Sequence, residues 1–575
     1  MTPESSMNAA AGFGRLQRLF QSNWAVLVIL VAMMPSLYWI VTDHHNWLWD
    51  QAWYGEVSVG LWFKLTQNLS EWWKAMMSAF GVKAPGIAWL GQFFVPLGRA
   101  IGSIETGLLW SMIATQFGSV ALFHEFVKEI LPGKRLVAAM GILLFASAPL
   151  FVGMSHQYLA EPLQLFGVTY VFFLAAKGHR MPRVTLLGHL LIAASIGLMA
   201  KSTSPIYCAL PGVIAVRALF LKRKPENKAS ATGAVLGWLC VFVGLVLCWL
   251  SVMFYIAHFK DLRGYVKIAM DLDFTADYGR RGNFFQKLAI WLDALQFSFQ
   301  LSWVVIGQLI LFCAGLVAQR MRAGKRDASR ADALNPGASR LNLFAIFSVV
   351  HICVVLSLCS LNYSEETRYL LPLLPALATI NIWLITRVRQ TWVPAGVIAL
   401  LVCQWIVVYA QSFGLAHLKK GTCSYWLYPL DADRKQAKEV ARIVHQTANP
   451  VGGSRIHLVG VELPWLNANT VSFFAAKEEL ITGNRCYYTP LGYAAKDLDL
   501  AWKRMGELKV GYFISLEEKA QPDNPNFLNL ISVAALRRIR EDRDFVSEPF
   551  TSDLGVVLFR RKVGDPLPTS EKTAH

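Results

Sequence analysis

Long apolar runs, each bounded by a short polar or basic segment, dominate the first 411 residues. They fall at about 24–42, 104–125, 136–154, 158–176, 184–200, 204–220, 232–257, 298–318, 342–361, 369–386 and 393–411. That makes roughly eleven stretches of the length a bilayer-crossing helix requires. The pattern breaks once, early. Residues 43–103 are too polar to span, yet rich in Trp. Within them Trp53, Val57, Leu61, Leu65, Leu69, Trp72, Met76 and Phe80 recur at helical spacing. This predicts an amphipathic helix lying in the membrane interface, with Trp at headgroup depth. IAWLGQFFVPLG, after Pro85, predicts a second such segment.

From residue 412 the pattern changes for good. Charge rises and long apolar runs stop. DRKQAKEVARIVHQ, DLDLAWKRMGEL and NLISVAALRRIR read as helices. IHLVGV, VGYFISL and LGVVLFRR read as strands. Together they predict a small soluble α/β domain over 412–575. It holds no Gly-rich phosphate loop, no clustered His/Cys metal motif and no GxSxG elbow. A lid or acceptor platform is the simpler reading of this domain. No helix-pair repeat is visible along the chain. RMRAGKRDASRADALNPGASR reads as a flexible cytoplasmic linker.

Composition agrees with the patterning. Of 575 residues 54% are hydrophobic and 16% charged, which is too apolar for an ordinary soluble chain. The expected class is a polytopic α-helical membrane protein: 1–411 in the membrane with a first outside loop at 43–103, then the outside domain. The net charge of +17 does not point to nucleic acid, because the Lys and Arg concentrate in short loops between apolar runs. GRLQR, KEILPGKR, AAKGHRMPR, RALFLKRKPENK, RMRAGKRDASR and TRVRQ all fall on one side. The positive-inside rule makes that side the cytoplasm and puts the C-terminal domain outside. The first run, ending MPSLYWIVTDHH, lacks a small-residue cleavage pattern and reads as a retained anchor. A bacterial inner membrane is the expected location. Seven of the nine cysteines lie in the apolar runs. Cys423 and Cys486 lie outside, where a disulfide between them is possible.

Ionisable residues gather at the outside ends of the runs: Asp50, Glu56, Lys83, Glu161, Lys201, Glu365, Glu366 and Arg368. Charges at that depth face a cavity or a partner. A sugar carried on a lipid phosphate needs this set. Fixed cations stabilise the leaving phosphate, and a carboxylate accepts the proton of the attacking hydroxyl.

The order of motifs resembles the GT-C superfamily of integral-membrane glycosyltransferases, in the branch of protein O-mannosyltransferases and lipid A aminoarabinose transferases. Asp50-Gln51-Ala52-Trp53-Tyr54 is similar to its D-E-x-x-Y pattern, and Lys83-Ala84-Pro85-Gly86 with Trp89 to its K-P-P segment. Glu161 opens the fourth run. Ala200-Lys201-Ser202-Thr203-Ser204-Pro205 resembles a T-K-G-P turn. Thr367-Arg368-Tyr369-Leu370-Leu371-Pro372-Leu373-Leu374-Pro375 resembles E-R-Y-L-L-P-x-x-P. The resemblance spans roughly 25–400.

It implies that Asp50 is the general base and that Lys83, Lys201 and Arg368 hold the donor phosphate. Glu161, with Tyr54 and His156, would bind the sugar or the acceptor. The donor would be a polyprenyl-phosphate sugar, transferred with inversion to a glycan, lipid or protein of the cell envelope. Gln51 and Trp53 depart from the aminoarabinose pattern and argue against that substrate. Asp50, Glu161 and His156 are the residues that could still hold a divalent metal, and many enzymes of this branch need none.

Simpler readings stand beside these. Asp50 could cap a helix, and the lysines could snorkel to headgroups. Arg368 could pair with Glu365 or Glu366, and Glu161 could bond within the bundle. The histidines could be polar interface residues and the Trp cluster an aromatic belt. A lipid-diphosphate-dependent polymerase or ligase is the second enzyme reading. A transporter or flippase of lipid-linked sugar is the third, ranked lower because the middles of the runs carry almost no charge.

Overall fold

The structure, a computed structural model, describes residues 24–221, 231–269, 282–323, 336–361, 366–416, 427–492 and 495–562. Contacts divide the chain into two compact units. The first holds Met1–Val41, Phe80–Ile87 and Leu109–Pro429. The second holds Thr42–Ala79, Ala88–Leu108 and Leu430–His575. Much of the early polar loop therefore folds with the C-terminal region, from which more than 300 residues separate it.

The helices run in chain order as α1 Trp24–Thr42, α2 Trp49–Gln67, α3 Leu69–Met77, α4 Gly86–Gly91, α5 Val95–Ile101, α6 Ile104–Ile130, α7 Arg135–Ala146, α8 Pro149–Ser155, α9 Glu161–Lys177, α10 Arg183–Ala200 and α11 Ser204–Phe220. They continue as α12 Ala231–Ala257, α13 Phe259–Ala269, α14 Phe284–Phe299, α15 Ser302–Ala323, α16 Pro336–Ser360, α17 Leu374–Thr386 and α18 Trp392–Ser412. The C-terminal region adds α19 Lys435–Gln446, α20 Ala468–Thr482, α21 Leu498–Glu507 and α22 Ser532–Glu541. Its strands are β1 Ile456–Val459, β2 Tyr487–Pro490, β3 Tyr512–Leu516, β4 Phe545–Glu548 and β5 Val556–Arg561.

All eleven apolar runs are helical. Among the described residues eight helices are long and apolar enough to cross a membrane, or nine if the bent pair α7–α8 is one span. The other two, α9 and α11, are 17 residues each. The chain is a multi-pass membrane protein. The 61° bend between α7 and α8 falls where Pro149 removes a backbone donor. Buried Gln404 on α18 covers the break. Its Nε2 donates to Ser147 O at 2.9 Å and lies 3.2 Å from Phe299 O, while its Oε1 accepts from Leu301 N at 2.8 Å. Backbone groups freed in an apolar surrounding are thus paired, as they must be.

The stripe expected to run from Trp53 to Phe80 is not continuous. It stops at Asn68, whose side chain accepts from Ser70 N and Glu71 N and starts α3. An Asn at this place offers the orphan amides of a new helix an acceptor. The buried side of α2 carries Gln51, Ala52, Tyr54, Gly55, Ser58, Val59, Gly60 and Leu61, and it packs on α20. There Trp47 stacks on Phe473, ring centroids 5.0 Å apart. Gly55 faces both rings, and a Cβ on it would lie 2.8 Å from Phe473 Cε2. Arg485 is ion-paired with Glu56 and, at 3.1 Å, with Glu479, and Lys477 pairs with Glu105.

The C-terminal sheet has the order β2-β1-β3-β5-β4. Its first three strands are parallel and the last two pair antiparallel. Strand alternation builds two cores. Val459, Ile514 and Leu558 face α19 and α20 on one side. Leu458, Phe513 and Phe559 face α21 and α22 on the other. This is a three-layer α/β/α arrangement.

Candidate functional site

In the first unit, four of the sequence-predicted residues meet around one buried carboxylate or stand on the segments packed beside it. Glu161 opens α9 with Pro162 following, a residue suited to a first helical turn, and it is 2% exposed. Its Oε1 accepts from Lys201 Nζ at 2.7 Å and lies 3.3 Å from Arg368 Nε. Arg368 Nε is also 2.5 Å from Glu366 Oε2. Two acids and two bases therefore share one cluster. Lys201 Nζ stands 3.8 Å from the centre of the Tyr369 ring, within cation–π range.

The backbone places these groups. Lys201 ends α10 in extended conformation, its amide donating to Gly197 O at 3.0 Å. Arg368 and Tyr369 sit on a 3-10 turn, Thr367–Leu373, that Pro372 and Pro375 flank or interrupt. Tyr207 Oη of α11 donates to Tyr369 O at 2.7 Å. Gln164 of α9 donates to Thr203 Oγ1 at 3.2 Å, tying α9 to the turn after Lys201.

Lys83 belongs to a short segment clamped against the same helices. Phe80 and Gly81 both take positive φ, 64° and 62°, to turn the chain. Tyr158, three residues before Glu161, donates its Oη to Ile87 O at 2.8 Å. Gly86 lies against the end of α10. A Cβ there would be 2.6 Å from Met199 O, so only glycine permits the approach. The Lys83 segment is thereby held next to the residues that carry Glu161 and Lys201.

His156 is 1% exposed. It stacks on Trp39 with centroids 4.1 Å apart, and its Nε2 is 3.1 Å from Ser36 Oγ. Ser36 also bonds Ser155 Oγ and Tyr409 Oη, each at 2.8 Å. The described contacts of His156 are thus with the bundle interior. Among the described residues no group of three His, Cys, Asp or Glu side chains could hold a metal.

Asp50 and Tyr54 belong to the second unit. Asp50 lies in the first turn of α2, whose N-cap is Leu48. It is not the cap residue itself, but a carboxylate in this turn favours the helix dipole. Tyr54 is buried on the face of α2 that meets α20. Cys486 is buried, its Sγ 3.2 Å from Ala448 O. Cys423, its expected partner, lies outside the described residues, as does Glu365.

Sequence reasoning missed several groups. Tyr207 carries no charge and reads as an ordinary span residue, and Tyr369 stands in the quoted motif with no role of its own. Lys287 of α14 is 4% exposed on a helix that packs against α8, α16 and the Thr367–Leu373 turn. A cation in FFQKLAIWL was the signal available for it. In the second unit the missed group is Glu462, 6% exposed, which accepts from Trp49 Nε1 at 3.0 Å.

No protein-family model and no curated protein matches the sequence. Solved structures do match. ArnT from Cupriavidus metallidurans bound to undecaprenyl phosphate aligns with a TM-score of 0.53 at 13% identity, over 94% of this chain and 98% of that one. The same protein in the apo state aligns at 0.50 and 12% identity, with the same coverage. At this identity the likeness speaks to fold. The chain shares that fold, a polytopic helical membrane region with an α/β C-terminal region.

Proposed function

We propose that this protein is an inverting glycosyltransferase that takes a sugar from a polyprenyl-phosphate donor. The observation that carries the reading is the buried Glu161–Lys201–Arg368 cluster in a chain with the fold of a protein solved with undecaprenyl phosphate. Lys83, Lys201 and Arg368 bind the donor phosphate and stabilise the charge it gains as the glycosidic bond breaks. Glu161, enclosed by both bases, acts chiefly by holding them in place. Asp50 accepts the proton of the attacking hydroxyl. The acceptor is a glycan, lipid or protein on the outer face of the membrane, and the membrane is a bacterial inner membrane.

The test is binding of undecaprenyl phosphate to the purified chain by native mass spectrometry. Lys83→Ala and Lys201→Ala weaken binding at least tenfold if the phosphate rests on these cations. Binding indifferent to both lysines overturns the assignment and favours a diphosphate donor or transport.

A further inference from the structure

The α/β region has the topology of a doubly wound sheet. β1 and β3 are parallel neighbours, and their exits diverge. β1 leads to α20 on one face, while β3 leads through residues 517–531 to α22 on the other. Where adjacent exits part, such sheets open a crevice at the carboxyl ends of their strands, and this is where they take ligands. Here the two lips are bridged. Glu462, in the β1 exit, donates its amide to Asn529 Oδ1 at 2.7 Å, and Asn529 Nδ2 donates back to Glu462 O at 2.9 Å.

Groups of the β1 exit are taken up by the chain's own residues 46–49. Trp49 Nε1 donates to Glu462 Oε2 at 3.0 Å. Asn46 Nδ2 donates to Trp465 O at 3.0 Å. Asn469 Nδ2 donates to Trp49 O at 3.2 Å, and Thr470 Oγ1 to Trp47 O at 2.8 Å. Glu462 Oε1 faces Ala468 N at 3.5 Å. Every partner comes from the β1–α20 loop or the first turn of α20. The residue that follows is Asp50.

We propose that the carboxyl-end crevice of the α/β sheet is a socket for the first loop, and that Glu462 is a positioning residue that fixes the first turn of α2, and so Asp50, through Trp49. The functional half of this rests on Asp50 being the base. The socket itself does not.

Two readouts on the full chain in nanodiscs separate these. The first is hydrogen–deuterium exchange. Trp49→Phe, which keeps a benzene ring but removes the indole N–H with its pyrrole ring, and Glu462→Leu raise exchange at residues 52–58 about tenfold, the worth of a hydrogen bond to a carboxyl. Residues 512–516 of β3 stay protected, and Glu462→Gln, which still accepts from Trp49, exchanges like wild type. Unchanged exchange at 52–58 in both disruptive variants overturns the socket, as does equal loss in β3. The second is turnover of any polyprenyl-phosphate sugar that wild type transfers. Trp49→Phe and Glu462→Leu lower kcat at least tenfold with donor KM unchanged, while Glu462→Gln keeps the wild-type kcat. Wild-type kcat in Trp49→Phe overturns the positioning role. A wild-type protein that transfers no sugar, yet shows the exchange pattern, keeps the socket and rejects both the glycosyltransferase reading and the positioning half.

Discussion

Glu161→Gln is the most informative single change in the membrane unit. It removes the charge that Lys201 Nζ at 2.7 Å and Arg368 Nε at 3.3 Å share, and it leaves Glu366, 2.5 Å from Arg368 Nε, as the carboxylate beside two cations. At an effective dielectric of about 20, each lost attraction is of order 5 kcal/mol before solvation is counted. Removing one member of a buried pair costs about 3–5 kcal/mol net. Lys201 is 23% exposed on its side chain, so water returns part of its solvation and the lower end applies. The double variant Glu161→Gln/Lys201→Met removes the cation whose ion pair was with Glu161 and recovers roughly 2 kcal/mol, a non-additivity expected of contacting residues. Denaturant unfolding in mixed micelles, followed by tryptophan fluorescence, measures both. A loss below about 1 kcal/mol for Glu161→Gln, or a double variant no better than the sum of its singles, refutes the view that Glu161 holds the two bases.

Three further outcomes follow from the same contacts. Gly86→Ala forces a Cβ to 2.6 Å from Met199 O, moves the Lys83 segment and weakens undecaprenyl phosphate binding at least fivefold, read by native mass spectrometry beside an unchanged Gly506→Ala control at an open helical position. Arg485→Leu strands Glu56 and Glu479 and costs about 3–5 kcal/mol in the second unit, seen as early exchange in α2 and α20. Burial pushes the Glu462 carboxyl from 4.5 up to about 7, so the folded chain holds this proton more tightly than the unfolded one. Its stabilising effect is full below about pH 4.5 and is lost as pH rises to about 7, a span of about 3 kcal/mol; Glu462→Gln removes that slope between pH 4.5 and 7.5 in a denaturation series.

Much of the membrane region was legible because length and hydropathy alone mark a spanning helix. The charges at the ends of the apolar runs were legible because ionisable groups are rare there, and Glu161, Lys201 and Arg368 do meet. The bend at Pro149 was not, since the apolar run passes through it unbroken. In the C-terminal region IHLVGV, VGYFISL and LGVVLFRR are strands, and three predicted helices are present. α20 was missed for a physical reason. It is covered by the sheet on one side and α2 on the other, so ANTVSFFAAKEELIT shows no polar stripe to betray a helix. β2 and β4 are YYTP and FVSE, with no run of aliphatic residues like that of the equally short β1 to mark them as strands. The pairing of residues 46–49 with Glu462 joins positions over 400 apart, and no local pattern carries it.

The central claim is covalent transfer from a lipid phosphate. The direct measurement supplies the chain in nanodiscs with undecaprenyl-phosphate sugars labelled in the sugar, together with extracted envelope acceptors, and follows free undecaprenyl phosphate and labelled product. The account predicts stoichiometric release of both by wild type and loss of both in Asp50→Asn, whose fold and lipid binding persist. Normal turnover by Asp50→Asn, or movement of the labelled lipid across the bilayer with no covalent product, contradicts it.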